Sequence, residues 1–328
     1  MKQQKRASAP RANRSPLAPL LESLVPHDGV FPASVPGVQL ARRSKSEARH
    51  PLIYEPTLVF LGSGRKRSFL GSEILRYDAN NFLALSVPVP VECEVEASPE
   101  EPLLAACISV EPTMLAEILI NLDEPSRPDA AIPRGIYVSP FNPDLQCAVV
   151  RLLECLHSPA DSRILGTQTV REILYRVLQS ESGGALRALA SRSDQFMRIA
   201  RILHQIHTDF ARPIATEELA RRAGMSVSTF HHNFKAVTAT SPLQYLKTIR
   251  LHRARALMAN SGHNAASAAI AVGYESPSQF GREFKRMFGN SPAEAASDIR
   301  ARFASGDIES PIEVRVRREV SSVTAISR

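Results

Sequence analysis

The spacing of apolar residues follows a strand-like pattern in the first part of the chain. Between about residues 37 and 111, short apolar runs alternate with turn signals such as Gly62-Ser63-Gly64, Gly71-Ser72 and Asp78–Asn81. Roughly six or seven such runs, with turns about every 8–12 residues, are typical of a small β-sandwich or barrel. We expect Pro88 and Pro90 at an edge or a bend, because proline cannot donate to a strand ladder.

After Pro112 the apolar spacing becomes helical. The segment PTMLAEILINL begins with a proline, which suits the first turn of a helix. Asp144–His157 and Ile164–Gln179 carry apolar residues on more than one face, and Gly183-Gly184 ends the second of them. Helices with this much apolar surface are expected to pack on the β domain or on a second subunit.

An internal repeat lies nearer the C-terminus. Phe230-His-His-Asn-Phe234-Lys235 is followed six residues after the lysine by Ser-Pro, and Phe280-Gly-Arg-Glu-Phe284-Lys285 repeats this pattern fifty residues later. A short Ala-rich segment that ends in glycine, at Gly224 and at Gly273, precedes each copy. The repeat therefore predicts two copies of one helical unit.

The residues of each copy fit a helix-turn-helix. Thr216 is expected to cap the first helix and Ser226 the second, and Gly224 and Gly273 permit the positive φ of a sharp turn. Small residues (Ala220, Ala223, Ala268 and Ala271) are expected to let the two helices of each copy approach closely. The paired phenylalanines, at i and i+4, are expected to anchor one face in the core and leave the other free for a DNA major groove.

One long helix is predicted between the two copies, from Pro242 to Ala259, with Leu246, Ile249 and Leu251 among its apolar positions. At about 1.5 Å per residue it is roughly 27 Å long. A rigid connector of this size can hold two recognition helices about one turn of DNA apart, roughly 34 Å.

Charge supports this interpretation. The chain carries a net charge of +7, but residues 51–189 hold eleven Lys/Arg against eighteen Asp/Glu, and residues 190–300 hold fifteen against eight. An acidic middle joined to a basic C-terminal block indicates that the basic block faces a polyanion. The 44% hydrophobic content is typical of a soluble globular protein, and no stretch has the length and apolarity of a membrane span.

Several classes of chemistry find no support in the sequence. The basic first residues are not followed by the apolar run of a secretory signal, and four dispersed cysteines fit free thiols in a reducing cytoplasm. No histidine occurs between Pro51 and Leu156, which argues against a multi-histidine metal site in the β domain. No hydrolase, zinc-protease or phosphate-loop pattern occurs, so we expect no enzyme activity, metal or cofactor. Cys93 and Cys107 are candidates for a redox switch, with buried structural thiols as the alternative.

The stretches GMSVSTFHHNFKAVTATSPLQYLKTIRL and VGYESPSQFGREFKRMFGNSP closely resemble the AraC/XylS family of bacterial transcription regulators. The region Val35–Leu122 resembles the N-terminal domain of one AraC-type subfamily, through PLIYEPTLVFLGSGRKRSFLG and YDANNFLALSVPVP. This resemblance implies a cupin-like β-sandwich or barrel that senses an effector or dimerises, followed by a DNA-binding block.

The predicted fold class is α+β multidomain. We expect a disordered basic arm at 1–36, with one short apolar piece at Leu17–Val25, and a tail at 301–328. The cupin-like domain is expected at 37–130, linker and dimerisation helices at 131–190, and an all-α domain with two helix-turn-helix units joined by a long helix at 191–300.

Positions matched to the family imply specific DNA contacts. The residues expected to contact bases are Ser228, His231, His232, Ser278 and Arg282, of which Arg282 suits guanine best. Those expected to contact phosphates are Lys235, Lys285 and Arg286. Gly281 stands where the family commonly has a hydroxyl residue, so it supplies no donor there.

The predicted function is a sequence-specific transcription factor that binds promoter DNA in the cytoplasm, in association with the nucleoid, and responds to a small effector. An unknown effector, RNA polymerase and a second copy of the chain are the other expected partners, and no membrane is expected. The first alternative is an architectural DNA-binding protein without an effector. The second, an enzyme with a DNA-targeting module, requires an active-site cysteine motif that the sequence lacks.

Overall fold

The computed structural model describes residues 14–122, 132–180, 183–190, 195–260 and 263–297. The strands are β1 (Gly29–Pro32), β2 (Val38–Arg43), β3 (Glu47–Tyr54), β4 (Thr57–Ser63), β5 (Arg65–Leu70), β6 (Glu73–Tyr77), β7 (Asn81–Leu85), β8 (Val89–Glu96), β9 (Leu103–Ser109) and β10 (Ile136–Pro140). The helices are α1 (Leu17–Leu24), α2 (Pro112–Leu122), α3 (Pro143–Cys155), α4 (Pro159–Ile164), α5 (Gly166–Gln179), α6 (Gly184–Ala190), α7 (Gln195–Asp209), α8 (Thr216–Arg222), α9 (Val227–Thr238), α10 (Pro242–Asn260), α11 (Ala265–Ala271) and α12 (Pro277–Phe288).

Two antiparallel sheets form the N-terminal domain. The larger has the strand order β1-β2-β9-β4-β7-β10, and the smaller has the order β3-β8-β5-β6. Along β8, buried Val91, Cys93 and Val95 alternate with more exposed glutamates. This alternation places the inner face of the small sheet against the large sheet, as in a β-sandwich. Pro90 pairs with β3 alone, in the part of β8 that β5 does not reach, which agrees with the predicted edge position.

The central strands of the large sheet are buried on both faces. Every residue of β4 is buried, and β9 is buried except for Ser109. One face meets the small sheet, and the other is covered by α1, α2, α3 and α5. Continuous apolar runs such as Leu58–Leu61 and Leu103–Ile108 require this arrangement, because a strand with one solvated face would alternate apolar and polar residues.

Two expectations about domain limits are wrong. The predicted arm includes α1, in which Leu17, Ala18 and Leu21 are fully buried against the large sheet and α3. The apolar piece expected at Leu17–Val25 is therefore structural, and β1 also lies inside the supposed arm. β10, placed in the linker by the sequence, pairs with β7 and completes the large sheet. Residues 1–13 of the arm and the tail at 301–328 lie outside the described residues.

The C-terminal block contains two helix-turn-helix units, α8–α9 and α11–α12, joined by the predicted long helix α10, which has 19 residues. The α+β multidomain fold class is thus confirmed. The first unit shares one hydrophobic cluster with the sandwich interior, while the second has a separate cluster. Among the described residues, no helix combines the length and the apolar character needed to cross a membrane.

Candidate nucleic-acid interface

The first unit has the local geometry that its sequence predicts. Gly224 adopts φ +64° in the turn between α8 and α9. The hydroxyl of Ser226 caps α9 by accepting a hydrogen bond from the Thr229 N–H at 3.2 Å. Phe230 and Phe234 are fully buried, with ring centroids 5.5 Å apart. One face of α9 is therefore fixed in the core, which leaves the opposite face on the surface.

The second unit repeats these features. Gly273 adopts φ +85° in the turn, and Ser276 caps α12 by accepting from the Gln279 N–H at 3.3 Å. The rings of Phe280 and Phe284 are again 5.5 Å apart and buried. The second recognition helix is thus anchored like the first.

Two details of the expected packing are wrong. Thr216 is the first residue of α8 rather than its cap, because Ala215 holds the capping position and gives no side-chain hydrogen bond. Ala271 is exposed, and Ala269 takes the buried place beside Ala268. In the seven-residue α11 the buried small residues are therefore Ala268, as expected, and Ala269.

All eight residues predicted to contact DNA are exposed on the two recognition helices. α9 carries Ser228, His231, His232 and Lys235, and α12 carries Ser278, Arg282, Lys285 and Arg286. In the part of the chain that the structure describes, none of the four cations among them has a carboxylate within ion-pair distance. A Cβ added at Gly281 would meet no other atom within 4 Å, so the surroundings of this glycine are open.

Part of this surface borders the β domain. His232 and Lys235 line a cleft of about 350 Å³ together with Arg134 and the β5–β6 turn, Leu70–Glu73. Arg134 forms an ion pair with Glu73 at 2.9 Å at the rim. The first recognition helix therefore presents its free face beside the β domain, and the second does not share this cleft.

Two arginines that sequence reasoning missed hold the turns of the two units. Arg198 of α7 donates to the Gly224 carbonyl at 3.1 Å. Arg250 of α10 donates to the carbonyls of Gly273, Phe210 and Arg212 at 2.8–3.0 Å. These arginines precede their glycines by 26 and 23 residues, so they are not equivalent positions of the repeat, and the repeat gave no signal for them.

The connector helix is also tied to the second recognition helix. Glu283 of α12 accepts hydrogen bonds from Lys247 Nζ at 2.9 Å and from the Tyr274 hydroxyl at 2.8 Å. Although burial opposes it, these bonds and one from Gln279 hold the pKa of Glu283 below its ordinary value. The charged pair fixes the orientation of α12 relative to α10, and hence the direction in which Arg282 points.

A polar cluster joins the first unit to the β domain. The Tyr245 hydroxyl donates to the Pro88 carbonyl at 2.9 Å and lies 2.7 Å from His207 Nε2. His207 Nδ1 lies 3.6 Å from a Glu55 carboxylate oxygen. Burial, with Arg253 and His204, lowers the pKa of His207 to about 3. Burial raises the pKa of Glu55. His207 is therefore neutral at neutral pH, and the contact is a polar one and not an ion pair.

Comparisons with known proteins agree with this architecture. Residues 34–185 match the family model of the AraC-type transcriptional regulator N-terminus, and residues 219–297 match a helix-turn-helix domain model. The transcriptional activator RhaS of Escherichia fergusonii is 30% identical over 147 residues, which are 39% of this chain and 53% of that protein. The virulence regulon activator VirF of Yersinia enterocolitica is 25% identical over 173 residues, 52% of this chain and 62% of that protein.

A solved structure extends the likeness to the fold. ToxT from Vibrio cholerae O395 superimposes with a TM-score of 0.51 and 12% identity over 80% of this chain and 97% of that one. The shared architecture has two domains, and in this chain the second domain contains a repeated helix-turn-helix. The first domain belongs to the AraC-type family of transcription regulators, and a helix-turn-helix domain follows it. The chain spans about half to three fifths of the length of the curated relatives that it matches.

Proposed function

We propose that the protein is a sequence-specific DNA-binding regulator of transcription that reads two adjacent major-groove segments of promoter DNA. The observation that carries this proposal is the pair of helix-turn-helix units, each with an exposed recognition helix. Both helices carry cations with no carboxylate partner among the described residues. Such cations are available to phosphates and base edges, and their neutralisation by DNA releases counterions.

The connector supports binding by a single chain to two sites. α10 has 19 residues, which corresponds to about 28 Å of helix. Successive major-groove segments on one face of the duplex are roughly 34 Å apart. Arg250 and Lys247, both on α10, hold the turn and the recognition helix of the second unit. The second recognition helix is therefore held in a fixed position relative to α10.

The individual roles follow from position and chemistry. Arg282 is exposed in the first half of α12 and has the two parallel donors that guanine O6 and N7 accept. Ser228, His231, His232 and Ser278 are assigned to base edges. Lys235, Lys285 and Arg286 lie closer to the C-terminal ends of their helices and are assigned to phosphates.

Selection of bound sequences from random duplex DNA, with the full-length protein at near-physiological salt, tests this function. We expect an enriched sequence with two short half-elements about ten base pairs apart. Steep salt dependence without any enriched sequence would replace the proposal with an architectural DNA-binding role.

The assignment of Arg282 has its own test. Arg282→Ala is expected to cost about 1–3 kcal/mol of specific binding and to relax the preference at one base pair. Lys285→Ala, one helical turn away, serves as the matched control and is expected to weaken binding to all sequences and lower the salt slope by about one. Equal weakening of every sequence by Arg282→Ala would show that this arginine contacts a phosphate. Competition binding against all single-base variants of the selected site measures the difference.

The N-terminal domain is assigned two roles within this function, effector sensing and pairing with a second copy of the chain. Helices on its outer face leave apolar side chains exposed, among them Ile120 of α2 at 76% and Ile164 of α4 at 71%. A groove between α2 and α5 is lined by Ile118 and Tyr175, among others. Large exposed apolar residues on neighbouring helices are typical of an interface. Light scattering is expected to give a dimer, with twice the chain mass of 35.9 kDa, for the wild type and a monomer for Ile120→Glu.

A further inference from the structure

One flank of the first recognition helix contacts the β domain. His232, Ala236 and Ala239 occupy positions i, i+4 and i+7 on α9 and its C-cap, and they line the cleft beside the β5–β6 turn. Ala236 and Ala239 are half-buried there. The turn lies close to the end of the helix, since a Cβ added at Gly71 would be 3.9 Å from the Ala239 carbonyl oxygen. The β domain therefore lies at the side of α9.

The face of α9 that is assigned to DNA lies next to this flank. Ser228, His231 and Lys235 occupy positions i, i+3 and i+7 and are exposed. Lys235 also lines the cleft, whereas Ser228 and His231 lie outside it. His232 is exposed even though it lines the cleft. The β domain thus leaves the DNA face of α9 open and forms a wall beside it.

Arg134 is the cation that the β domain contributes to this wall. Its side chain is 48% exposed and forms an ion pair at 2.9 Å with Glu73, which is 44% exposed. The next residue, Gly135, donates its N–H to the Val237 carbonyl at 3.1 Å and accepts from the Ser86 N–H at 2.9 Å. These two backbone bonds attach the segment that carries Arg134 both to α9 and to the β domain. Arg134 is therefore held beside the recognition helix.

A helix in the major groove has a phosphate strand along each flank. The groove is about 12 Å wide, and a helix with its side chains is about 10–12 Å across. One strand would therefore run along the flank of α9 at which Lys235 and Arg134 lie. Glu73 is the one acidic residue among the described residues that line the cleft. An exposed ion pair stabilises little, because water screens both charges, so Arg134 can exchange the carboxylate for a phosphate oxygen at small cost.

We propose that the β domain itself takes part in DNA binding, and that Arg134 contacts a phosphate of the strand along the flank of α9, next to the phosphate bound by Lys235. The second recognition helix contributes no residue to the described lining of this cleft, so the contact belongs to one half-element alone. This inference rests on the proposed function in that α9 binds DNA, but it does not require a sequence preference. A phosphate contact adds affinity for any sequence and releases counterions.

The salt dependence of DNA binding by the full-length protein tests the contact. The probes are the selected site and a scrambled duplex of the same length, with salt varied from about 50 to 200 mM. We expect Arg134→Ala to weaken binding to both duplexes about three- to tenfold and to lower the salt slope by about one. Arg134→Lys keeps the charge and should retain most of the slope.

Two further variants separate a DNA contact from other roles of Arg134. Arg65→Ala also removes one exposed charge, but at the opposite end of β5, about 17 Å along the strand from Leu70. That distance exceeds the Debye length of about 8 Å at near-physiological salt, so the salt slope should not change. Glu73→Gln removes the competing carboxylate and should strengthen binding. Thermal unfolding of all these variants should match the wild type, because each change is on the surface.

Ethylation interference on the selected site locates the contact. We expect one phosphate beside a single half-element at which ethylation weakens binding of the wild type but not of Arg134→Ala. The phosphates that Lys285 and Arg286 bind should interfere equally in both proteins, because these residues lie on α12.

Three results would overturn the proposal. Equal salt slopes for the wild type, Arg134→Ala and Arg65→Ala would show that Arg134 binds no phosphate. Weaker binding in both Arg134→Ala and Glu73→Gln would make the ion pair a structural one. Stronger binding in both would mean that the β domain inhibits α9. Failure of the proposed function would be seen separately, as a selection without an enriched sequence, and the salt slopes on the scrambled duplex would still test Arg134.

Discussion

The two helix-turn-helix units share one sequence pattern but have different surroundings. Their turn glycines, serine caps and phenylalanine pairs adopt matching geometry. The core of the first unit nevertheless continues into the β-sandwich, whereas that of the second is a separate cluster built mainly from α10, α11 and α12, with Phe210, Ala295 and Ala296 at its border. The repeat therefore determines the inside of each unit, and the rest of the chain determines which outer faces are covered.

The ends of the recognition helices show the same difference. α12 ends at Gly289 with φ +82°, a conformation that glycine adopts at little cost. α9 ends at the equivalent Ala239 with φ +58°, which is strained for a residue with a Cβ. Ala239 lines the cleft shared with the β domain. The strained C-terminal cap of α9 thus lies where the first unit meets the β domain.

The largest expected effect is a loss of stability, which should differ between the core of the first unit and that of the second. Phe234→Ala and Phe284→Ala each remove a fully buried ring and are expected to cost about 3–5 kcal/mol of unfolding free energy. Phe234→Ala should destabilise the β domain as well, because the core is continuous, and Phe284→Ala should leave that domain intact. Hydrogen exchange followed separately in β4 and in α12 measures this, and equal loss of protection in β4 for both variants would show that the units are coupled alike.

Acid is expected to destabilise both units through buried histidines. Burial lowers the pKa of His207, at the domain contact, and of His252, which packs on Phe288 in the second unit, to about 3. Because the unfolded values are near 6.5, the full stability is present above about pH 6.5 and is lost as the pH falls towards 3. The slope is roughly 1.4 kcal/mol per pH unit for each histidine. The raised pKa of Glu55 acts in the opposite direction and partly offsets His207.

Urea unfolding between pH 7 and pH 4.5 tests this prediction. His207→Gln should flatten the pH dependence of the β domain and first unit, and His252→Gln that of the second unit. An unchanged slope in both variants would place the acid sensitivity on other groups.

The two turn-holding arginines are expected to differ. Arg250→Ala removes three hydrogen bonds to carbonyls and is expected to cost about 2–3 kcal/mol, whereas Arg198→Ala is expected to cost about 1 kcal/mol. Denaturant unfolding measures the costs, and footprinting should show loss of the half-element read by the second unit only in Arg250→Ala. Arg201→Ala, an exposed neighbour on α7, is the control and should change neither.

The smallest expected effect concerns the helix ends. Gly289→Ala introduces a Cβ at positive φ and should lower stability by about 1 kcal/mol. Ala239→Gly relieves the same strain and should raise stability by less than about 1 kcal/mol, since glycine also adds freedom to the unfolded chain. Opposite signs in thermal unfolding are the expected result, and two changes of the same sign would refute the assignment of strain to Ala239.

The local parts of the structure could be predicted from sequence. The repeat, the Gly224 and Gly273 turns and the Ser226 cap depend on residues within a few positions of each other. The fold class and the long connector followed from the same periodicities. Which of the exposed residues contact DNA remains a prediction.

Features that depend on contacts between residues far apart in the sequence could not be predicted. α1 is ordered because the large sheet and α3 cover it, and β10 is a strand because β7 offers it an edge. Along β5 the pattern does not show which face is internal, because one face has Lys66 and Leu70 and the other has Phe69. The structure buries the lysine and leaves Phe69 outside, stacked with Arg49.

The covering of the large sheet by the first helix has a consequence for biosynthesis. The Ser23 hydroxyl at the end of α1 is hydrogen-bonded to His157, 134 residues later in the chain, whereas the Lys247–Glu283 pair of the second unit spans only 36. Long sequence separations slow folding, because loop closure must precede the contacts that stabilise it. On the ribosome, α1 must therefore wait until α3 has emerged, and its apolar face needs protection from aggregation during that interval.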